Sequence, residues 1–251
     1  MNNNEKILEP ITKGISIDEI GVDYYQRPVY KNHVKKIIKN FNVDLVELPK
    51  VCRRDNRWEC WDGQHTILAA KAMGYTHITC KITEVATSQE AARLYSSVNA
   101  VGFSKALTPI EDFQALKHAE DELTLTIDAL TAAHGFVISK SKAPMNIMSI
   151  RTLETIMKRQ GAEVLATVLD IVASCYSEDA VATNATFIKG LAYFIRRNEG
   201  ISINILKRKL GQMSAEDIRK EAETSRMFKG AKAYENVFRG IYGTSSLRVA
   251  G

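Results

Sequence analysis

Residues 57–74 constrain the fold more than any other stretch of this chain. Residues 58–61 predict a short strand, and the alanine-rich segment from Thr66 to Gly74 predicts a helix with a glycine cap at its end. The turn between them is formed by Asp62, Gly63, Gln64 and His65. A strand that breaks at Asp-Gly and continues as a helix presents backbone N–H groups and the positive end of the helix dipole. The sequence therefore predicts an anion site at this turn.

The same segment resembles the signature box of the ParB/sulfiredoxin superfamily. In that superfamily a strand leads through an Asp-Gly-Gln-His-Arg turn, or a related one, into an alanine-rich helix. Residues 62–66 match this turn except that Thr66 stands where the family carries arginine. Arginine holds phosphate with a two-pronged fork, whereas threonine offers one hydroxyl. The resemblance implies a small α+β domain with a nucleotide or anion pocket formed by Gly63, Gln64, His65 and Thr66.

A second part of the resemblance follows the first expected strand, residues 15–20. Pro28 disfavours a helical conformation at the residue before it, so Gln26 and Arg27 are expected in an extended turn with exposed side chains. The superfamily has Tyr-Gln-Arg at this point, facing the ligand pocket. The resemblance therefore makes Arg27 the candidate for the positive charge that Thr66 lacks. A surface arginine on a loop is the alternative.

Asn99 and the helix start at residues 107–111 resemble a ParB motif that precedes the central helices. Val98 holds the glutamate position of that motif and Gly102 its arginine position. In ParB proteins this glutamate helps to hold a metal-bound CTP. Each charge-assisted bond to phosphate that is missing here is worth roughly 1.5 to 3 kcal/mol, which disfavours CTP turnover of the ParB type. A nucleoside triphosphate with Mg²⁺ stays the candidate cofactor, with Asn99 among its binding residues.

Two side chains of the turn are candidate catalytic residues. Histidine titrates near neutral pH, so His65 can act as a base, while Asp62 can orient it or bind Mg²⁺. They would serve a nuclease or an NTP-dependent phosphotransferase. The alternative is a structural histidine, and no second acidic cluster near the turn would hold two metal ions. Sulfiredoxin activity is excluded because Gln64 occupies the position of the catalytic cysteine.

The second half of the chain has helical periodicity throughout. We expect an N-terminal arm at residues 1–14, a ParB/sulfiredoxin-like domain at 15–104 and an α-helical domain at 105–251. The helical half also resembles phage and actinobacterial proteins that carry an Asp-Gly-Gln-His-Arg box. A helix-turn-helix is disfavoured because the connector at residues 136–148 is too long. The aromatic residues Tyr234, Phe238 and Tyr242 have the spacing of a core stripe.

Composition excludes several classes of protein. No apolar run approaches the about 20 residues of a membrane span, and the chain starts without a basic and apolar leader, so a cytoplasmic protein without a membrane partner is expected. No Cys-x-x-Cys pair signals a zinc site. We expect buried free thiols at Cys52, Cys60, Cys80 and Cys175, with Cys52 and Cys60 facing each other across a hairpin as the alternative.

Positive charge is concentrated near the end of the chain. Residues 186–251 carry 13 lysines and arginines against 6 acidic residues, whereas residues 1–185 carry 21 against 23. A basic region can follow a phosphate backbone, although a solvated helical surface has the same composition. The candidate nucleic-acid-binding residues are Arg196, Arg197, Lys207, Arg208 and Lys209.

The leading hypothesis is a ParB-like DNA-binding protein of phage or mobile-element type with a nucleotide or anion pocket at residues 62–66. DNA is the expected partner, a nucleotide is a candidate ligand, and a homodimer is a candidate assembly. The alternatives are the enzyme described above and a non-catalytic interaction module with a vestigial pocket.

Overall fold

The computed structural model describes residues 10–100 and 106–243. The chain divides into two compact units, Met1–Glu120 and Asp121–Gly251. The first contains a mixed β-sheet with helices, and the second is almost entirely helical. The expected fold class, a small α+β domain followed by an all-α domain, is confirmed. The domain boundaries suggested by the sequence stay predictions.

The first unit is built around a five-stranded sheet with the strand order β1-β5-β3-β4-β2. Its strands and helices are β1 (Thr12–Ser16), β2 (Ile20–Val22), α1 (Lys31–Lys39), β3 (Lys50–Arg54), β4 (Arg57–Asp62), α2 (Gln64–Ala72), β5 (His77–Ile82), α3 (Ser88–Ala100) and α4 (Pro109–His118). Strands β1 and β5 are antiparallel, β5 and β3 parallel, β3 and β4 antiparallel, and β4 and β2 parallel. The sheet is therefore mixed.

The start of the sheet differs from the expected single strand at residues 15–20. A 3-10 turn at Ile17–Glu19 separates β1 from β2, and the two strands lie at opposite edges of the sheet. Strand β1 already pairs with β5 at Thr12, so residues 12–14 of the expected N-terminal arm belong to the sheet. Residues 1–9 of that arm lie outside the described part of the chain. An alternating apolar and polar pattern shows which face of a sheet each residue occupies, but it does not show which strand is the pairing partner. It therefore cannot distinguish two short strands from one longer strand.

Both faces of the sheet are covered. On one face Val51, Cys60 and Cys80 form a buried cluster with Ile67 and Ala70 of α2. On the other face Cys52 and Trp61 pack with residues of α3 and α4, among them Tyr95 and Ala115. Because neighbouring residues of a strand point to opposite faces, Cys60 and Trp61 join different clusters. The last residues of β4 are thereby held firmly from both sides.

A hairpin joins two strands of the sheet, and the expected buried free thiol is confirmed at three of the four cysteines, whereas Cys175 is only partly buried. Asp55 and Asn56 join β3 to β4. Both residues have a positive φ (44° and 61°), as the preferred two-residue turn of a β-hairpin requires. All four cysteines are free, and three of them are buried: Cys52, Cys60 and Cys80.

The second unit follows the helical pattern of the sequence closely. It contains α5 (Glu122–Ala133), β6 (Val137–Ile138), β7 (Asn146–Ile147), α6 (Ile150–Gln160), α7 (Ala162–Tyr176), α8 (Ala185–Arg197), α9 (Ile203–Leu210), α10 (Ala215–Thr224) and α11 (Ala231–Tyr242). Strands β6 and β7 lie in the connector that disfavours a helix-turn-helix, and they pair in parallel. No helix in the described ranges has the length and apolar character needed to cross a membrane.

Helices α8 and α11 form the aromatic centre of this unit. Phe187 of α8 makes edge-to-face contacts with Tyr234 and Phe238 of α11, with ring centroids 5.7 and 5.2 Å away. Tyr234 and Phe238 are 5% and 0% exposed, which confirms the core stripe for these two residues. Gly190 lets the helices approach, because a Cβ there would lie 2.4 Å from the Tyr234 Cβ.

We predict opposite effects for two glycine-to-alanine substitutions in these helices. Gly190→Ala should lower the free energy of unfolding by roughly 1 to 3 kcal/mol, because the methyl group overpacks the interface of α8 and α11. Gly240→Ala in α11, where a Cβ would meet nothing within 4 Å, should raise it by about 0.5 to 1 kcal/mol through helix propensity. Urea unfolding of both variants measures the difference, and equal effects would contradict the close approach at Gly190.

Candidate functional site

The turn between β4 and α2 is tighter than the sequence predicts. Strand β4 runs to Asp62 and α2 already begins at Gln64, two residues before the expected start at Thr66. Gly63 alone separates them, at φ +96°. The Thr66 and Ile67 amides donate to the Gly63 carbonyl over 3.0 and 3.2 Å, which closes the first turn of the helix. The first-turn amides of α2 therefore have no side-chain cap, because Gly63 carries none.

This turn forms one wall of a hollow of about 660 Å³, part of it open to solvent. Most of its lining is polar or aromatic, and the aliphatic side chains in it are Ile37 and Leu48. The hollow brings together seven residues that the sequence singled out, namely Gln26, Arg27, Asp62, Gly63, Gln64, His65 and Thr66. Tyr30, His33, Glu47 and Tyr95 complete the lining. The turn is thus accessible from the hollow, and ligand binding by these residues stays a prediction.

Arg27 is the most informative residue in the lining. It is only 9% exposed, whereas the sequence predicts an exposed side chain in this turn. The expectation is wrong because the loop lies against α3, where the Arg27 amide and Nε both donate to the Tyr95 hydroxyl over 3.1 and 3.2 Å. Nη2 donates to Oδ1 of Asn99. In the described ranges Arg27 forms no ion pair with a carboxylate, so its charge is buried without a counter-ion.

Two glutamines fix the backbone around Arg27. Gln64 Nε2 donates to the Arg27 carbonyl over 2.7 Å, and Gln26 Nε2 donates to the Cys60 carbonyl. Gln26 is 8% exposed, which corrects the expectation of an exposed side chain here as well. Within the described residues, its Oε1 atom is buried and accepts no hydrogen bond. Gln26 therefore combines a backbone-bound amide nitrogen with a buried acceptor that has no partner among these residues.

Asn99 acts on the site through Arg27. It is 2% exposed, accepts the bond from Arg27, and donates through Nδ2 to the Tyr95 carbonyl over 2.7 Å. It does not line the hollow itself, so the expected ligand contact of Asn99 stays a prediction. Gly102, which holds the arginine position of the same motif, lies outside the described residues.

Tyr30 and Glu111 connect the hollow to α4. Thr108 and Glu111 form a capping box at the start of α4, whose helix start at residues 107–111 the sequence predicts. In addition, the Glu111 carboxylate accepts a hydrogen bond from the Tyr30 hydroxyl, and this bond raises the pKa of Tyr30. The Tyr30 ring is stacked near that of His65, with centroids 6.0 Å apart. The pocket wall is thus tied to the start of α4.

The two candidate catalytic residues each have another partner. Asp62 accepts a hydrogen bond from Lys50 over 2.7 Å. Burial alone would lower the pKa of Lys50, but the bond and charge of Asp62, together with Glu47, outweigh it and raise that pKa. His65 Nε2 accepts the Tyr30 amide proton over 3.1 Å, which places Nε2 in the neutral, proton-accepting form. The catalytic roles of Asp62 and His65 stay predictions.

The described residues contain no cluster of metal-ligating side chains. Across residues 10–100 and 106–243, no three His, Cys, Asp or Glu side chains are grouped so that they could hold an ion.

The candidate nucleic-acid-binding residues of the second unit are mostly engaged by neighbours. Arg197 binds the buried Glu235 (2.8 Å) and Lys207 binds Asp170 (2.6 Å). Arg196 pairs with Glu199, and Lys209 donates to the Tyr242 carbonyl. Arg208 is exposed. A charge already neutralised by a neighbour releases fewer counterions on binding phosphate. The role of these five residues stays a prediction, but four of them have structural partners as well.

The loop that carries Gln26 and Arg27 is anchored at Asp23. Asp23 accepts hydrogen bonds from the Ser88 hydroxyl (2.7 Å), the Tyr24 amide (2.8 Å) and Arg54 (3.3 Å). Burial by itself raises the pKa of Asp23, but these bonds and the nearby charge of His118 outweigh it and hold that pKa below its ordinary value. Next in the chain, the Tyr25 ring stacks on His118 with centroids 5.0 Å apart.

Sequence reasoning did not identify Tyr30, His33, Tyr95 and Glu111 as residues of the site. Tyr95 is a buried residue of α3, and Glu111 belongs to the cap of α4. Their second roles, towards Arg27 and Tyr30, depend on tertiary contacts that periodicity does not reveal. Tyr30 and His33 carry a weak signal, because they follow Pro28 closely and begin the next helix.

A comparison with models of known protein families identifies the family of this chain. It belongs to the "Family of unknown function (DUF6551)", whose model matches residues 20–248. No curated protein matches the sequence.

Three solved structures of ParB proteins match this chain at low sequence identity and low structural similarity. The C2221 form of a Pnob8-like ParB-N domain has 14% identity and a TM-score of 0.41, with 93% of this chain and 98% of that chain covered. C-terminally truncated ParB from Caulobacter crescentus with CTP-gamma-S has 10% identity and a TM-score of 0.33, covering 64% and 96%. The same protein on the centromeric parS site has 12% identity and a TM-score of 0.25, covering 80% and 97%. Likenesses this distant do not indicate function.

We predict that glycine is required at position 63 for two reasons. The backbone there has a positive φ, and there is no room for a side chain. A Cβ on Gly63 would lie 2.8 Å from the Pro49 Cα, whereas one on Gly74, at the similar φ of +87°, would meet nothing within 4 Å. Gly74→Ala should therefore cost only the left-handed strain, roughly 1 to 2 kcal/mol. Gly63→Ala should lower the free energy of unfolding further, as thermal or urea unfolding would measure. Equal losses would show that Pro49 does not constrain the turn.

We also predict an acid-dependent contribution from Asp23. Since the folded-state pKa of Asp23 lies below its ordinary value of 3.8, the carboxylate stabilises the fold above that pH and stops doing so as the pH falls through the folded pKa. Asp23→Asn should lower the free energy of unfolding at pH 7 by roughly 1 to 3 kcal/mol. The difference from the wild type should shrink below pH ~4. Asp44→Asn is the control, because Asp44 is exposed. If Asp23→Asn lowers the free energy of unfolding by the same amount at every pH, the carboxylate of Asp23 does not stabilise the fold through its charge.

Proposed function

We propose that this chain is a ParB-like DNA-binding protein, of the phage or mobile-element type, with a pocket for an anionic nucleotide at the Asp62–Thr66 turn. The nucleotide is expected to be a phosphorylated one that brings its own Mg²⁺. Assembly as a homodimer is a further expectation of the same proposal.

The observation that carries the pocket proposal is the buried charge of Arg27. A guanidinium has five N–H donors, and two of them are used by Tyr95 and Asn99. Arginines buried to this degree are normally paired with a carboxylate, because an isolated charge is costly to remove from water. Arg27 lines the hollow and has no such partner in the described part of the chain. A phosphate in the hollow would supply the missing negative charge.

The remaining lining suits a nucleotide better than a bare phosphate. The Tyr30 and His65 rings provide flat surfaces on which a base can stack. The uncapped first turn of α2 adds the positive end of its dipole.

Departures from the superfamily box predict weaker binding than an arginine-containing turn would give. Thr66 lines the hollow where the box carries arginine. A restored arginine could add a charge-assisted contact worth roughly 1.5 to 3 kcal/mol, about one to two orders of magnitude in affinity. The pocket can therefore be tested by one substitution that weakens binding and one that strengthens it.

We predict that nucleoside triphosphates with Mg²⁺ raise the melting temperature of the wild type in a thermal-shift screen. Arg27→Gln should abolish the shift, and Thr66→Arg should increase the affinity by roughly tenfold or more. Arg57→Gln is the matched control, because Arg57 is exposed on β4 and outside the hollow. Melting without ligand checks that each variant is folded.

The screen is repeated with duplex DNA to test the other half of the proposal. If no nucleotide shifts the wild type or Thr66→Arg, the pocket is not a nucleotide site. If the wild type is not retained on DNA even at low salt, the proposal that this protein binds DNA is wrong.

A further inference from the structure

Helix α1 carries an unusual concentration of one charge. Its nine residues include Lys31, Lys35, Lys36 and Lys39 and no acidic residue. All four lysines are exposed or partly exposed on the helix surface. Lys31, Lys35 and Lys39 repeat at every fourth position, so they form a row along one side of the helix. Throughout residues 10–100 and 106–243, these four side chains have no ion pair and no hydrogen bond with another group.

This charge pattern does not stabilise the helix. Like charges four residues apart repel each other on a helix surface. Lys31 lies in the first turn, where the helix dipole disfavours a positive charge, and the N-cap residue Tyr30 provides no side-chain cap. Only Lys36 and Lys39, in the last turn, are favourably placed with respect to the dipole. Local stability therefore does not explain why lysine occupies these positions.

The opposite side of α1 is used for packing. Val34, Ile37 and Ile38 are half-buried, and α1 packs against α2. The lysine row therefore remains open to solvent. Arg197 and Lys207 of the second unit differ, because each is paired with a carboxylate, Glu235 and Asp170 respectively. Among the described residues, α1 thus presents four exposed lysines that no carboxylate neutralises, three of them in one row.

From this contrast we infer that the lysine row of α1 is a surface that binds the phosphate backbone of nucleic acid. The inference rests on the proposed DNA-binding function. It assigns the contact with the DNA backbone to α1 in place of the basic residues near the end of the chain. A rise of about 1.5 Å per residue places Lys31, Lys35 and Lys39 about 6 Å apart. Duplex DNA carries a charge about every 1.7 Å of its axis, so each lysine in the row can meet a phosphate.

A lipid surface fits the same region less well. The apolar side of α1 is already packed against α2, so it is not free to enter a membrane. The following loop exposes Val43 and Leu45, but Asp44 and Glu47 lie among them. Anionic headgroups would repel these carboxylates, whereas a nucleic acid contacting only the lysine row does not need to approach them.

The same helix also borders the candidate pocket. His33 and Ile37 line the hollow, and Lys36 lines the groove next to it. Nucleic acid on the lysine row and a ligand in the hollow would therefore contact opposite sides of one short helix.

The test removes the row and measures the salt dependence of DNA binding. The variant Lys31→Gln/Lys35→Gln/Lys39→Gln is compared with Lys220→Gln/Lys229→Gln/Lys232→Gln, which removes the same charge from lysines of the basic tail. Binding to a short fluorescent duplex is followed by anisotropy from low to physiological salt. The slope of log Kobs against log salt should become shallower by about 0.9 for each phosphate that the row no longer neutralises, and stay near the wild-type value in the control. The single variant Lys35→Gln should show about one third of the effect, and it serves if the triple variant does not fold.

Each other outcome overturns the inference in a distinguishable way. If the α1 variant keeps the wild-type slope while the tail variant loses it, DNA binding stands but its surface is the tail. If the wild type does not bind DNA at low salt, the DNA-binding proposal and this inference fall together. If the wild type binds phosphatidylserine vesicles through α1 and not DNA, the row is a lipid surface.

Discussion

The candidate site depends on the guanidinium of Arg27, which is buried and, across residues 10–100 and 106–243, is paired with no carboxylate. Arg27 is held in place by the Tyr95 hydroxyl and by Asn99, both from α3, and its backbone is fixed by Gln64 at the start of α2. These neutral partners orient the charge without neutralising it. A buried charge in this state is destabilising for the free protein and favourable for an anion that reaches it. The site is therefore built by three elements that are far apart in sequence.

The strand-to-helix turn supplies the other half of the site. Because Cys60 and Trp61 are held on opposite faces of the sheet, the end of β4 is rigid, and Gly63 lets α2 begin at once. Asp62 is drawn aside by Lys50, and His65 accepts the Tyr30 amide. The turn is thus a wall of the hollow whose ionisable groups are already engaged. Whether these two residues bind a ligand or act as acid and base stays a prediction.

The sequence predicts most elements of this fold, because helical periodicity and glycine or proline punctuation are local signals. It also predicts which residues surround the pocket, since the box and the Gln26–Arg27 pair carry a family resemblance. It fails where the outcome depends on tertiary contacts. The burial of Arg27 requires Tyr95 and Asn99, and the separation of β1 from β2 requires pairing partners at both sheet edges. Charge counts likewise point to the tail, because they cannot show that Arg197 and Lys207 are neutralised while the lysines of α1 are not.

If the Arg27 side chain is available to bind an anion, the nitrogen-15 NMR signal of its Nε–H group should respond when an anion is added. The signal can be assigned by its disappearance in Arg27→Lys and followed while pyrophosphate is added to the labelled protein. We expect a saturable shift of this resonance and slower exchange of its proton with water, with little change for the exposed Arg57. A resonance that stays in place up to a large excess of pyrophosphate would contradict it.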